Sequence, residues 1–314
     1  MDNKELYRNF CGNQESIPVF STDWWLDAVC GEDNWNVALV EKGGNIVASM
    51  PYYINPKRKK HLEMPPLTQT LGPFIVYPEK QKYTKRLSYE KKVMNQLIDQ
   101  LPDFKFFHQR FSPEITNWLA FYWKNFQETT RYTYIIEDLK NTEVIWNGLK
   151  DNIRGDIRKA EKIVTVEKTD NLELFFKINQ LTFNRQEQNI PHSYHLLQRL
   201  DKACEKHECR KMLVARDEQS RVHSAIYIVW DKRKVYYLLG GADPELRNSG
   251  ASSLLLWEAI KFSSEFVSKF DFEGSMLKPV ERFFSSFGAI QIPYFTIYKD
   301  KRSKIRKIAS LLRN

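Results

Sequence analysis

Residues 235–260 read VYYLLGGADPELRNSGASSLLLWEAI, and this stretch decides the fold. The apolar run from Val235 to Gly241 predicts a strand. A turn of small and polar residues follows, and the apolar residues recurring after Gly250 predict a helix. The first backbone N–H groups of a helix have no partner within it, so they form a ready binding point for an anion. The stretch therefore predicts a strand, turn and helix that receive a phosphate-bearing ligand.

The residues of the turn suit this role. Arg247 offers a fork of hydrogen-bond donors, and Gly250 lets the backbone approach a ligand closely. Such a site fits the pyrophosphate of coenzyme A or the phosphates of a nucleotide-linked donor. An ordinary strand-to-helix turn in which Ser249 caps the helix is the alternative. The predicted donor-binding residues are Leu239, Gly240, Gly241, Arg247, Asn248, Ser249, Gly250, Ala251 and Ser252.

Carboxylates follow at the next predicted strand, Phe270 to Phe272. Asp271 and Glu273 alternate along the chain, so their side chains should face opposite sides. We select Glu273, beside Gly274, as the candidate base that takes a proton from an attacking amine. Capping of the next helix or pairing with an arginine is the alternative for this carboxylate. Tyr237 and Asp243 are further candidates, for proton transfer and for contact with the substrate.

Length and composition indicate a globular protein of two domains. The chain has 314 residues, of which 42% are hydrophobic. Its four cysteines show no framework spacing, no apolar run is long enough to span a membrane, and the first ten residues are polar. We therefore expect a cytoplasmic protein. The spacing of His192, His195, Cys204, His207 and Cys209 does not match common zinc sites, so we predict no metal.

The net charge of +9 lies in two short segments. Residues 57–60 are all Lys or Arg, and residues 299–314 hold seven Lys or Arg against one Asp, so the rest of the chain is close to neutral. This pattern argues against a stable nucleic-acid complex, which favours a spread basic face. The segment Lys304 to Asn314 predicts a basic amphipathic helix, which docks either on the protein itself or on an anionic membrane surface.

The order of predicted elements repeats in two halves, residues 1–140 and 141–314. In the first half, helices are predicted at 23–29 and 80–101, and strands at 35–40, 45–53, 104–110 and 132–136, with a hairpin turn at Gly43-Gly44. In the second half, helices are predicted at 142–148, 151–162, 172–188 and 193–207, and further strands at 212–216, 222–230 and 294–298.

Several segments resemble the FemAB-like branch of the GNAT superfamily of N-acetyltransferases. They are RGDIRKAEK at 154–162, FNRQ at 183–186, DFEGS at 271–275 and RFFSSFG at 282–288, and the resemblance covers residues 20–300. It implies an α/β (α+β) fold of two tandem GNAT-like domains, each a mixed, mostly antiparallel sheet flanked by helices, with a cleft between them. It also implies that Arg185 and Gln186 contact the acceptor, and we expect Tyr52 and Gln69 to line the same cleft.

The resemblance implies transfer of an acyl or aminoacyl group to an amine, on a small molecule or a cell-wall precursor. The best-known members of the branch take amino acids from aminoacyl-tRNA and add them to peptidoglycan precursors. They usually carry a Lys where this chain has Phe284, and this departure favours acyl-CoA over tRNA as the donor. Two alternatives stay open: a tRNA-dependent transferase that builds cell-wall cross-bridges, and a binding protein of this fold without catalysis.

Overall fold

The computed structural model describes residues 2–185, 190–274 and 276–302. The chain forms two compact units. The second unit spans residues 132–292, and the first unit comprises the residues before 132 together with the last described segment, from residue 293 onward. That segment returns because its strand pairs with a strand of the first unit, for example Thr296 with Arg110. The units therefore have limits that differ from residue 140, the division expected from the sequence.

The first unit is a sheet with helices packed on it. Its elements are α1 (Asn3–Asn13), α2 (Asp23–Cys30), β1 (Trp35–Lys42), β2 (Asn45–Ile54), β3 (His61–Glu63), β4 (Phe74–Ile75), α3 (Tyr83–Asp99), β5 (Phe106–Arg110), α4 (Leu119–Trp123) and β12 (Ile290–Asp300). Strand β2 pairs antiparallel with β1, β3 and β4, and β5 pairs antiparallel with β12. Strands β3 and β5 pair in parallel.

The core of the first unit lies between its sheet and α3. Val93, Leu97 and Ile98 recur at helical spacing and are buried, as their periodicity predicts. Phenylalanines fill the rest of this core, and Phe107 and Phe126 meet edge to face with ring centroids 5.2 Å apart.

The second unit contains the strand, turn and helix singled out above. Its elements are β6 (Gln127–Ile136), within which the units change over, α5 (Thr142–Gly148), α6 (Asp151–Ala160), β7 (Thr165–Thr169), α7 (Leu172–Arg185), α8 (Tyr194–Lys206), β8 (Arg210–Arg216), β9 (Val222–Trp230), β10 (Lys234–Ala242), α9 (Ala251–Ser263), β11 (Lys269–Asp271) and α10 (Lys278–Ser285).

Its strands run in the order β6, β11, β10, β9, β8, β7, and the β10–β11 pair alone among these is parallel. Helix α9 is apolar almost all round, with Leu254, Leu255 and Ile260 buried, so it lies in the core. Helix α6 buries only Ile153, Ile157 and Ala160 and packs beside α9. The predicted class, a mixed and mostly antiparallel α/β fold flanked by helices, is confirmed.

The four cysteines are free thiols, and three of them are buried. None of the helices in the described ranges combines the length and the apolar character required to cross a membrane.

Candidate active site

The site begins where β10 and β11 part. These parallel strands pair only from Lys234 with Lys269 to Tyr236 with Asp271, whereas β10 continues to Ala242. On its other side, β10 pairs with β9 through a register shift between Tyr237 and Leu239. Such a bulge inserts one residue and changes which side chains share a face. As a result, Tyr237, Gly240 and Ala242 lie opposite Ile228, Ile226 and Ser224, on the face of the sheet that α9 covers.

A pocket of about 270 Å³ opens on this face. Five residues predicted to act in the site line it: Tyr237, Gly240, Gly241, Arg247 and Ser252. Six further lining residues were not singled out from the sequence: Thr182, Ser224, Ile226, Ala242, Leu256 and Phe283. The pocket therefore combines an apolar wall with hydroxyl groups, and Arg247 is the charged side chain among these lining residues.

Two serine hydroxyls define the polar end of the pocket. Ser224 Oγ and Ser252 Oγ are 2.9 Å apart, and Ser224 Oγ also donates to the Gly241 carbonyl at 2.9 Å. Ser252 belongs to the first turn of α9, where the positive end of the helix dipole lies. Arg247 is exposed and precedes this turn. This end of the pocket suits an anionic group.

Four of the predicted donor-binding residues, Ser249 to Ser252, offer backbone N–H groups at the start of α9, and some of these groups are occupied by the protein itself. The Ser249 N–H donates to the Leu246 carbonyl at 3.1 Å, and the Ala251 N–H donates to Ser249 Oγ at 3.3 Å. Ser249 itself is buried, as is Ala251. Two of these four amides are thus engaged within the turn, one by the Leu246 backbone carbonyl and one by the Ser249 side chain, while Gly250 is the N-cap residue of α9.

The close approach expected at Gly250 is made by α6. Gly250 adopts a left-handed conformation, φ 83°, and a Cβ built on it would lie 2.3 Å from the Asp156 carbonyl oxygen. Lys159 Nζ also donates to the Asn248 carbonyl oxygen at 2.5 Å. Packing against a neighbouring helix therefore requires the glycine, whereas the sequence predicts that a ligand makes this close approach.

The structure brings the two predicted catalytic residues together. Burial, and then the charge of the Glu273 carboxylate, raise the pKa of Tyr237 well above its usual value. The Tyr237 hydroxyl lies against Gly240, where an added Cβ would come within 1.9 Å of it. Glu273 is 7% exposed. Tyr237 consequently stays protonated at neutral pH and is able to donate a hydrogen bond into the pocket.

A strained turn holds Glu273 at the end of β11. Glu273 has φ 59° and Gly274 has φ 53°, and a Cβ on Gly274 would lie 2.1 Å from the Tyr132 carbonyl oxygen. Non-glycine residues in this conformation are uncommon and cluster at functional sites. The Glu273 N–H donates to Asp271 Oδ1 at 2.9 Å, which anchors the turn.

Asp271 has a structural role. It is buried, and it accepts from Thr133 Oγ1 at 2.5 Å and from Lys234 Nζ at 3.3 Å. All of its contacts lie within the protein core beside the diverging strands. These contacts give Asp271 a structural explanation, and the assignment of Glu273 as the base stays a prediction.

Helix α7 contributes two residues that were not predicted from the sequence, Asn179 and Thr182. Asn179 Nδ2 donates to the Gly240 carbonyl at 2.7 Å, and Thr182 Oγ1 accepts from the Ala242 N–H at 3.0 Å. A Cβ on Gly241 would lie 2.5 Å from Asn179 Cα, so this glycine permits α7 to approach β10. Asn179 and Thr182 are three residues apart and share a helix face. This polar spacing within an apolar helix was the available signal.

Other predicted residues lie elsewhere. Leu239 pairs with Tyr227 and takes the opposite face of the sheet from the pocket, because the bulge shifts the alternation. Asp243 caps a turn, its carboxylate accepting from the Glu245 N–H at 2.8 Å. Phe284, at the position where the FemAB-like branch usually has Lys, is buried in the core with its ring centroid 5.6 Å from that of Tyr237.

The predicted acceptor residues divide between the units. Tyr52 lies in β2 of the first unit and is buried, which raises the pKa of its phenol. Gln69 lies between β3 and β4 and is partly exposed. Arg185 is the last residue of α7; its side chain and all of Gln186 lie outside the described residues, as does the predicted helix 304–314. Among the residues that the structure does describe, no three His, Cys, Asp or Glu side chains form a metal-binding group.

The comparisons with known proteins now define the class. Residues 148–282 match the protein family described as "Acetyltransferase (GNAT) domain". This match includes β10, the Arg247 turn, α9 and Glu273. The second unit therefore resembles a GNAT acetyltransferase domain over most of its length, and this resemblance supports transferase activity.

Several solved structures have a similar fold over nearly the whole chain. FemX has a TM-score of 0.66 at 13% identity, covering 93% of this chain and 95% of that chain. The C-terminal domain of a protein assigned as a lysylphosphatidylglycerol synthetase from Agrobacterium fabrum has a TM-score of 0.56 at 12% identity, covering 98% and 95%. A tandem GNAT protein from the clavulanic acid biosynthesis pathway has 0.51 at 8%, covering 87% and 85%. No curated protein matches this sequence significantly. These likenesses show that the chain shares its fold with FemX and with a tandem GNAT protein, which is the fold that the sequence resemblance implied.

Proposed function

We propose that this protein is an N-acyltransferase that moves an acyl or aminoacyl group from an activated donor, acyl-CoA in the first instance, to an amine. The observation that carries the proposal is the pocket at the divergence of β10 and β11, where Tyr237, Arg247 and the first turn of α9 meet beside Glu273. The GNAT family match and the tandem GNAT neighbour, whose structure was described as lacking AcCoA, support a thioester donor.

Arg247 and the start of α9 are proposed to hold the donor phosphates. The guanidinium is exposed at the pocket and has the fork geometry that suits phosphate oxygens. The helix dipole adds about half a positive charge at Ser252. Of the four backbone N–H groups from Ser249 to Ser252, those of Gly250 and Ser252 are proposed to bind the donor phosphates. The acyl carbonyl then lies along Gly240 and Gly241.

The chemistry follows from the placement of two groups. A neutral amine attacks the thioester carbonyl, forming the C–N bond, and Glu273 or a water it orients takes the amine proton. The C–S bond then breaks, its electron pair leaves with the sulfur as a thiolate, and the Tyr237 hydroxyl, which keeps its proton, stabilises that thiolate by donating a hydrogen bond. Backbone N–H groups at Leu239 to Gly241 are proposed to stabilise the oxyanion. Most of the rate enhancement then comes from positioning the two reactants.

The acceptor is proposed to be a small-molecule amine or a cell-wall precursor. We propose that the protein binds it in the cytoplasm. Asp243 at the end of β10 is the acceptor-side candidate nearest in sequence to the pocket residues. Tyr52 and Gln69 in the first unit, and Arg185 and Gln186 after α7, keep their predicted roles as acceptor contacts.

Donor binding is tested by thermal unfolding with acetyl-CoA and longer acyl-CoA species. A donor at a hundred times its dissociation constant adds about 2.7 kcal/mol, which raises the melting temperature by about 5–10 °C. Arg247→Glu should abolish the shift, whereas Lys202→Glu, the same charge change on the exposed side of α8, should preserve it. Equal shifts in both variants would remove Arg247 from the donor site.

An aminoacyl-tRNA donor is the second candidate, favoured by the fold shared with FemX across nearly the whole chain. It predicts tRNA binding that weakens steeply as salt rises, because phosphate contacts release counterions. Filter binding of charged tRNA at two salt concentrations separates the two donors. Absence of binding by every thioester and every aminoacyl-tRNA would instead support a binding protein without catalysis.

A further inference from the structure

A patch of exposed aromatic and apolar side chains lies on the first unit, on α3 and α4. Tyr83 is 73% exposed, Leu119 45%, Tyr122 58% and Trp123 55%. On α4, Leu119, Tyr122 and Trp123 are spaced i, i+3, i+4, so they share one face, while Ala120 and Phe121 between them are buried.

The two helices form one continuous surface. Tyr83, Leu87 and Lys91 recur every four residues along α3, and all three line a groove with Leu119. Lys91 Nζ lies 5.6 Å from the centre of the Trp123 ring, which joins the α3 stripe to the α4 stripe. We name these residues, with Tyr122, the α3–α4 surface.

The α3 part of this surface is predominantly positive. From Lys82 to Lys92 the chain carries five cations and a single acid, Glu90. Glu90 is buried, and its carboxylate accepts from Tyr77 Oη at 3.0 Å, from Arg86 Nε at 3.3 Å and from Asn117 Nδ2 at 3.2 Å. The acid is therefore neutralised inside the protein, whereas Lys82, Lys85 and Lys92 are exposed.

We propose that the α3–α4 surface docks on the face of an anionic phospholipid bilayer. Tyr and Trp rings favour the membrane–water interface, where an apolar body and a polar edge are both satisfied. Lysines beside them are attracted by anionic headgroups. Exposed apolar side chains gathered in one patch and rimmed by cations match this chemistry better than a neutral protein surface. Docking would bring the enzyme to substrates held at a membrane.

Co-sedimentation of the full chain with vesicles tests the proposal. Vesicles of phosphatidylcholine with phosphatidylglycerol should bind the protein, and vesicles of phosphatidylcholine alone should not. Replacement of Lys82 and Lys85 by Gln should weaken binding about 25-fold, which is fivefold for each cation. The control variant, Lys202→Gln with Lys206→Gln on α8, removes two exposed lysines of the second unit and should bind as the wild type does.

A second pair of variants tests the aromatic contribution. Replacement of Tyr122 and Trp123 by Ser should weaken binding at least tenfold, since burial of the exposed part of such rings is lost. The control, Val144→Ser with Ile290→Ser, removes two exposed apolar residues of the second unit and should have no effect. Absence of vesicle binding, equal binding to neutral vesicles, or unchanged binding by both test variants would each overturn the proposal. The last outcome would assign membrane contact to residues 304–314 instead.

Discussion

Replacing Gly250 by Ala should destabilise the second unit by about 2–5 kcal/mol. Gly250 has φ 83°, and an L-residue with a side chain pays about 1–2 kcal/mol for this left-handed conformation. The added Cβ would also lie 2.3 Å from the Asp156 carbonyl oxygen and 2.8 Å from its carbon, so backbone atoms must move. Overpacking of this kind costs about 1–3 kcal/mol.

A glycine one residue from the contact supplies the control. Gly155 lies on the exposed face of α6, and a Cβ built on it meets nothing within 4 Å. Gly155→Ala should therefore raise the free energy of unfolding by about 0.5–1 kcal/mol, because alanine favours the helix.

Hydrogen exchange of the α9 and α6 amides, measured together with urea unfolding, reports the stability of this unit separately from that of the other. If Gly250→Ala and Gly155→Ala have equal unfolding free energies, Gly250 does not pack against α6. The glycine would then be explained by a ligand, as the sequence first indicated.

Three further outcomes follow. Glu273→Gln should lower kcat/KM by about 10²–10⁴-fold in a thioester assay while leaving the acyl-CoA thermal shift intact, and full turnover would exclude Glu273 as the base. Asp271→Asn should lower the free energy of unfolding in urea by about 3–5 kcal/mol, because the Lys234 side chain, 7% exposed, loses its buried partner. Adding Lys234→Met should recover part of this stability, and an unchanged stability of Asp271→Asn would contradict a buried ion pair. Burial, and then the nearby Arg110 charge, lower the pKa of His108 from 6.5 to about 4, so the unfolded chain binds the proton first. Stability of the first unit is then complete above pH 6.5 and falls by up to about 3 kcal/mol as the pH drops toward 4, a slope that His108→Gln should flatten in unfolding measured across this range.

Much of the element order was predictable because its signals are local. The hairpin at Gly43-Gly44 and the three antiparallel strands that end in β10 follow from alternation and turn residues, and the structure has them. Helix α1 was missed, since only Tyr7 is buried and no apolar stripe marks the helix. Strand β7 was missed because it lies at the edge of the sheet and is largely exposed, which leaves no alternation to detect.

Several residues that line the site were predictable from the sequence, but the backbone bulge that orients them was not. Arg247, Ser252 and Tyr237 were selected from the residue types near the strand end and the turn, and they line one pocket. The bulge that turns Leu239 away from this pocket has no clear mark in the sequence, because it depends on the register with β9.

By itself, the sequence determined that a strand, a turn and a helix follow one another around Gly250, since periodicity and turn chemistry act between near neighbours. Only the tertiary structure decided which other elements pack against this strand, turn and helix. The Asn179 contact with Gly240 joins residues 61 positions apart, and the Lys159 contact with Asn248 joins residues 89 apart. Contacts of this kind depend on how helices pack on the sheet, and the two elements they join show no local signal of each other.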